Sequence, residues 1–177
     1  EALSANEAAV QITLTTYFIG FGLAQLIYGP MADALGRKAP LLLGLAIFAI
    51  GSVGAAQAGT IASLATWRAI QGLGGAALMV VPRAIIRDRY TGNEATKLMA
   101  MIMLVISISP MLAPLAGSAV IAVADWRTIF YVLLAASILS ILLLTFALEE
   151  TLNRENRRPQ RLGPLLSGAK RLLRDPY

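Results

Sequence analysis

Neither cysteine nor histidine occurs among the 177 residues. That excludes disulfides, thiol or imidazole catalysis and the common transition-metal sites from this stretch of chain. Charge is scarce too. Only 14% of residues are Asp, Glu, Lys or Arg and 57% are hydrophobic, whereas a soluble domain averages about a quarter charged. No carboxylate stands deep inside an apolar run, since Asp33, Asp88, Glu94 and Asp125 all fall at run ends. An enzyme working inside a membrane would lack both its imidazole and its acid pair, so no catalytic activity is expected, and neither is a metal or organic cofactor. The chain opens on the acidic EALSANE without a basic lead segment, which is not a signal-peptide pattern. The net charge of +5 could suggest nucleic acid. The basic residues sit between apolar runs, however, and membrane topology accounts for them without nucleic acid.

What the sequence does have is long hydrophobic runs, with a mean hydropathy of +0.69. A bilayer-crossing helix needs roughly 20 apolar residues, and five segments qualify. We label them spans A (about 9–30), B (40–58), C (61–83), D (97–123) and E (127–148). They lack the alternation of strands and are too long for them, so the expected fold class is an all-α membrane protein. Thirteen of the 15 Lys and Arg lie in the A–B segment, the C–D segment and the tail after E, against Arg127 alone in D–E. The positive-inside rule places segments 31–39 and 84–96 and the tail 149–177 in the cytoplasm. An odd number of spans beginning outside reads as a piece of a longer protein lacking at least one helix before Glu1. Within the tail, Leu165, Leu166, Ala169, Leu172 and Leu173 alternate with Lys170, Arg171 and Arg174. That pattern reads as a short basic amphipathic helix on the inner surface, or as a solvated linker.

The spans differ in character. B and E are nearly uniform in Leu, Ile, Ala and Val, which suits an outer, lipid-facing position. Span A carries Gln11, Thr15, Gly22, Gln25 and Gly29 near helical spacing. Span C carries Arg68, Gln71, Gly72, Gly75, Ala76 and Met79 on one side. Span D has two prolines, Pro110 and Pro114, among small residues. Small residues four apart, as at Gly72–Ala76 and Ser109–Ala113, permit close backbone approach. On this pattern A, C and D are inner helices around a polar path. After span A comes GPMADALGRK, where Gly29 and Gly36 permit a tight turn and Asp33 stands among Arg37, Lys38 and the arginines of C–D. An exposed pair of this kind contributes only ~0–1 kcal/mol, so it reads as a latch between states.

That loop resembles the signature of the major facilitator superfamily, G-x-x-x-D-x-x-G-R-K after a second span. Four further stretches match in order: R-A-I-Q-G-L-G-G-A, P-R-A-I-I-R-D, A-P-L-A-G and W-R-T-I-F. Together they resemble the bicyclomycin-resistance (Bcr/CflA-type) branch of drug:proton antiporters. The resemblance covers the whole chain as spans two to six of twelve, in the N-terminal half. It implies a latch at Gly29, Asp33, Gly36, Arg37 and Lys38. The basic residue that usually follows the aspartate is Ala34 here, so the relay would be weaker or would use Arg87 or Arg89. It further implies a fourth-span motif at Arg68, Gln71 and Gly72, whose arginine is tied to proton coupling. The fifth-span antiporter motif is represented by Ala113, Pro114, Gly117 and Ser118, with two glycines of the usual pattern lost.

For Arg68 the residues alone leave two readings open. It lies roughly 10 Å into span C at 1.5 Å per residue, so it can snorkel beside Trp67 in an outer aromatic belt. Alternatively it faces the bundle interior, where a cation costs ~2.5–3.5 kcal/mol unless paired or hydrated and would lower the pKa of a nearby acid. That acid is not in this segment and is expected on the missing first span. Tyr17, Gln25, Met79, Met103 and Ser107 are candidates to line a substrate cavity, methionines suiting a pocket that repacks around varied ligands, though each is also ordinary packing. The expected function is proton-coupled export of drugs or small metabolites across the bacterial inner membrane by alternating access. Its energy source would be the proton gradient, and its partners the bilayer, protons, a small-molecule substrate and the remaining transporter helices. The alternatives are another solute, as in sugar or amino-acid export or uptake, and a non-transporting scaffold or sensor.

Overall fold

The computed structural model describes residues 7–152 and residue 157. Five helices follow one another: α1 (Glu7–Leu35), α2 (Lys38–Ala56), α3 (Ile61–Arg89), α4 (Gly92–Val123) and α5 (Arg127–Ala147). There is no strand among the described residues. Each helix is long and apolar enough to cross a bilayer. Helices satisfy their own backbone groups, which hydrocarbon cannot do.

The helices are longer than their apolar runs. α1 continues through the G-x-x-x-D motif to Leu35 with Pro30 inside it, and α3 runs six residues past the expected end with Pro82 inside it. The expected loops 31–39 and 84–96 are therefore mostly helical, joined by turns at Gly36–Arg37 and Tyr90–Thr91. The 29 residues of α3 span roughly 43 Å at 1.5 Å per residue, against a hydrocarbon core of about 30 Å. Charged residues close to the apolar boundary mark where the membrane ends, not where the helix does. Gly29 accordingly sits within α1 and makes no turn. Gly36 does, at φ +95°, a conformation that side chains with a Cβ rarely adopt. A Cβ there would also run into the Glu150 carboxylate.

Packing is built on small residues. α1 and α3 form the most extensive interface, followed by α2 with α3 and α2 with α5. The buried side of α1 is Thr13, Gly20, Ala24, Tyr28 and Ala32. A Cβ on Gly72 of α3 would strike the Tyr17 carbonyl oxygen of α1, so the two backbones touch there. The main core joins Ala24, Tyr28 and Ala32 to Leu41, Ala76, Ala77 and Val81.

On α1 the polar stripe stays off the interface with α3, for Gln11, Thr15 and Gly22 are exposed and Gln25 and Gly29 only partly buried, as a stripe facing a polar path outside this chain also would be. The helix packs through its small residues, which let backbones close up. One expectation changes here: α2, expected as outer wrapping, is half buried, because Gly44, Gly51, Ser52, Gly54 and Ala55 admit α3. α4 packs little against the rest of this chain: it has no buried residue, and Ser109 and Ala113 are exposed, a face open either to lipid or to parts of the protein outside this chain. α5 buries only Ser137, consistent with an outer position. The proposed amphipathic helix at 163–174 lies outside the described residues.

Candidate functional site

Two arginines organise two distinct sites. At one end of the bundle, Arg37 is the hub. Its Nε donates to Asp88 Oδ2 at 2.6 Å and its Nη2 to Asp88 Oδ1 at 3.3 Å, while Nη1 reaches Asp33 Oδ1 at 2.6 Å. The fork geometry of the guanidinium lets one residue hold α1 and α3 together. Its backbone N–H donates to Glu150 Oε1 at 2.8 Å, and the Lys38 N–H to Oε2 at 3.3 Å. α2 has no side-chain cap of its own at Arg37 and no acid in its first turn. Glu150, which follows α5, supplies the missing acceptors from across the fold. Lys38 Nζ completes the tie by donating to the Thr145 carbonyl at 2.8 Å.

Charge follows this geometry. Burial pulls the Arg37 pKa down, but hydrogen bonds to Asp88 and Asp33 and their charges outweigh it and leave it raised. Burial pushes Glu150 up, and the N–H groups of Arg37, Leu152 and Lys38, helped by Arg157, bring it below the usual carboxylate range. The sequence pattern pointed to Asp33, Gly36, Arg37 and Lys38, and the structure brings them together. It missed Asp88 and Glu150, and it had offered Arg87 or Arg89 as relays. Arg87 has no ion pair among the described residues, and Arg89 pairs instead with Glu149 at 3.6 Å. Gly29 lies a turn before Asp33 and touches none of this.

The second site lies within the bundle. Arg68 Nη1 donates to Gln71 Oε1 at 2.6 Å, and Gln71 Nε2 to Ser52 Oγ at 2.7 Å. Ser52 Oγ in turn donates to the Phe48 carbonyl at 2.8 Å. Gln71 and Ser52 are fully buried, so this chain fixes α3 against α2 with its polar groups satisfied. The Arg68 guanidinium lies 4.4 Å from the centre of the Tyr17 ring on α1 and 6.0 Å from that of Phe130 on α5. Its hydrogen bond runs one turn deeper into α3, away from the near end of the helix. Trp67, the supposed belt residue, packs against α2, where a Cβ on Gly54 would enter its indole. Both observations run against snorkelling. No carboxylate pairs with Arg68 among the described residues. Gly72 belongs to this site only as the contact that seats α1 on α3.

A cavity of about 570 Å³ adjoins Tyr17, well within the range of small-molecule sites. Phe21, Phe48, Met79, Met101 and Val105 are among its walls, and only Tyr17 contributes a hydroxyl. A second cavity, about 520 Å³, is walled by Arg68, Trp126 and Phe130, so the Tyr17–Arg68 pair stands between the two. Of the candidate lining residues, Tyr17 and Met79 are in the first cavity. Gln25, Met103 and Ser107 are in neither. Met103 and Ser107 point to the outside of α4, and the Ser107 hydroxyl is turned back onto the Met103 carbonyl. Pro114 is exposed and Gly117 partly so; the structure joins neither to Arg68 or Arg37. Phe21, Phe48 and Met101 were missed because an apolar residue in a membrane helix carries no local sign that it faces a cavity.

Comparison with known proteins extends these observations. The sequence profile of the Major Facilitator Superfamily matches residues 1–177. The chain is 39% identical over 175 residues to an uncharacterized MFS-type transporter, YdgK of Bacillus subtilis, covering 98% of the chain and 44% of that protein. It is 34% identical over 160 residues to a bicyclomycin resistance protein homolog of Haemophilus influenzae, covering 90% and 40%. It is also 33% identical over 171 residues to the multidrug resistance protein MdtL of Klebsiella pneumoniae, covering 97% and 43%. The chain thus spans less than half the length of these relatives.

Proposed function

Because this chain belongs to the major facilitator superfamily, a family of transporters and not of enzymes, we propose that it forms most of one half of a proton-coupled exporter of drugs or small metabolites. The observation that carries this reading is Arg68. It is a cation held inside the bundle by Gln71 and two aromatic rings, beside an apolar cavity, with no acid of its own among the described residues. A cation so placed favours the ionised form of an acid that approaches it and competes with the proton for that acid. Protonation and substrate binding then become alternatives. The acid would come from a part of the protein outside this chain.

The hub around Arg37 serves the other half of the cycle. In an alternating-access transporter two bundles rock about a midplane site, and a charged cluster at one end can latch one of the two states. Lys38 of α2, Arg83, Arg87 and Arg89 of α3 and Lys97 of α4 gather at that same end, which supports placing it in the cytoplasm of a bacterial inner membrane. Drug export is supported by relatives named for bicyclomycin and multidrug resistance. The cavity supports it too, for a wall with one hydroxyl offers a sugar few hydrogen bonds and offers an apolar drug a large contact area. Driving force would come from the proton gradient.

The test uses the full-length protein in drug-sensitive cells. Expression is expected to raise resistance to at least one apolar drug and to lose that effect with an uncoupler. The Arg68→Ala variant is expected to lose at least tenfold in efflux rate at an unchanged membrane level. Unimpaired efflux by that variant, or resistance indifferent to the uncoupler, would overturn the proposal.

A further inference from the structure

The cavity beside Tyr17 has a charged mouth that the transport reading does not use. Its walls include Met79 and Pro82 on α3 and Met101 and Val105 on α4. Helical periodicity extends each wall by one turn toward the charged end, reaching Arg83 beyond Met79 and Lys97 beyond Met101, with Arg87 a further turn out. Arg83 is partly buried, and its Nε is buried without a hydrogen-bond partner. None of the three cations takes part in an ion pair among the described residues.

Depth agrees between the two walls. A 30 Å hydrocarbon core covers roughly 20 helical residues. Centred on α3, that length ends near residue 85; centred on α4, it begins near residue 98. Arg83 and Lys97 therefore both stand at the boundary between hydrocarbon and headgroups, where a phospholipid phosphate lies. Below them the seam between α3 and α4 is sparse. The lining residues Met101 and Val105 are also exposed on α4. Within this chain those two side chains are uncovered, so an acyl chain can lie along the seam.

We propose that this seam is a binding site for one anionic phospholipid. Arg83 and Lys97 take its phosphate, Arg87 the outer headgroup, and an acyl chain lies along Met101 and Val105 at the edge of the cavity, leaving the space beside Tyr17 to substrate. Zwitterionic lipid fits less well, because its own ammonium opposes three uncompensated cations. A single basic residue near an anionic surface gives roughly a fivefold preference, so losing both wall cations should remove a preference of about one order of magnitude or more.

The experiment purifies the full-length protein into nanodiscs of phosphatidylcholine containing a minor fraction of phosphatidylglycerol. It then counts retained lipid by native mass spectrometry. Wild type is expected to retain phosphatidylglycerol at least tenfold above its bulk share at low salt, with the preference weakening as salt screens the charges. Arg83→Gln with Lys97→Gln should abolish it. The exchange Arg83→Lys with Lys97→Arg should keep it, as should Arg127→Gln at the opposite end. Because wild type is itself a test, a double variant that misfolds does not shield the idea. Absence of a phosphatidylglycerol preference in wild type, or its persistence in the folded double glutamine variant, overturns the proposal. Failure of transport in the efflux assay leaves lipid retention unaffected, so the two readings can fail separately.

Discussion

The two arginine sites of this bundle use the same side chain to opposite ends. Arg37 is almost wholly buried and its fork is filled by two carboxylates, while its own N–H is held by a third. Arg68 has no carboxylate among the described residues, where an amide and aromatic faces receive it. A buried cation with matched acids is locked, since removing one acid strands a charge. A cation held by neutral groups is left able to answer an acid that arrives. The difference separates a cation locked by matched acids from one that, on the proposed function, is left for an acid from outside this chain.

Mutations should divide along that line. The largest effect should come from the contact on which both sites rest. Gly72→Val drives side-chain atoms into the α1 backbone at Tyr17 and should cost about 3 kcal/mol, at the upper end for overpacking. Denaturant unfolding of the full-length protein in detergent measures it. Asp88→Ala should come next, at about 2 kcal/mol, because Arg37 loses two hydrogen bonds while remaining buried. If it costs nothing, Arg37 is not the hub described here.

Glu150→Gln should cost about 1 kcal/mol, the usual loss of a helix cap, and should change the acid limb of stability. The folded pKa of Glu150 is lowered. Its contribution is therefore complete above the unfolded value, near 4.3, and is lost as pH falls through the lower folded value. Wild type should weaken across that acid window more than the variant does. Equal acid limbs would show that Glu150 is not held as an ionised cap. Arg68→Ala is expected at about 1 kcal/mol, since it leaves the buried Gln71 Oε1 without its donor but spares the Gln71–Ser52 hydrogen bond. This is the variant expected to lose transport. A large unfolding cost would instead make Arg68 a structural twin of Arg37.

Much of this was readable one residue after another. Crossing a bilayer needs only an uninterrupted apolar length, which is a local property, and the five spans stood out for that reason. The pairing of Asp33 with Arg37 was readable as well, because the two lie one helical turn apart. Arg37 with Asp88 and Arg37 with Glu150 were not, being 51 and 113 residues apart. No spacing rule reaches that far. The burial of α2 was not readable for a different reason. Its uniform apolar composition was read as the mark of an outer helix, whereas the backbone closes wherever side chains are small, as at Gly44, Gly51 and Ser52 of α2.

The sequence by itself determined which five segments are long and apolar enough to cross a bilayer, because apolar length is a property of each segment separately. Only the tertiary structure decided which helix touches which, which acids reach Arg37, and that among the described residues Arg68 meets an amide and rings. Those outcomes depend on how closely distant backbones approach, and that distance is set by the joint shape of two surfaces.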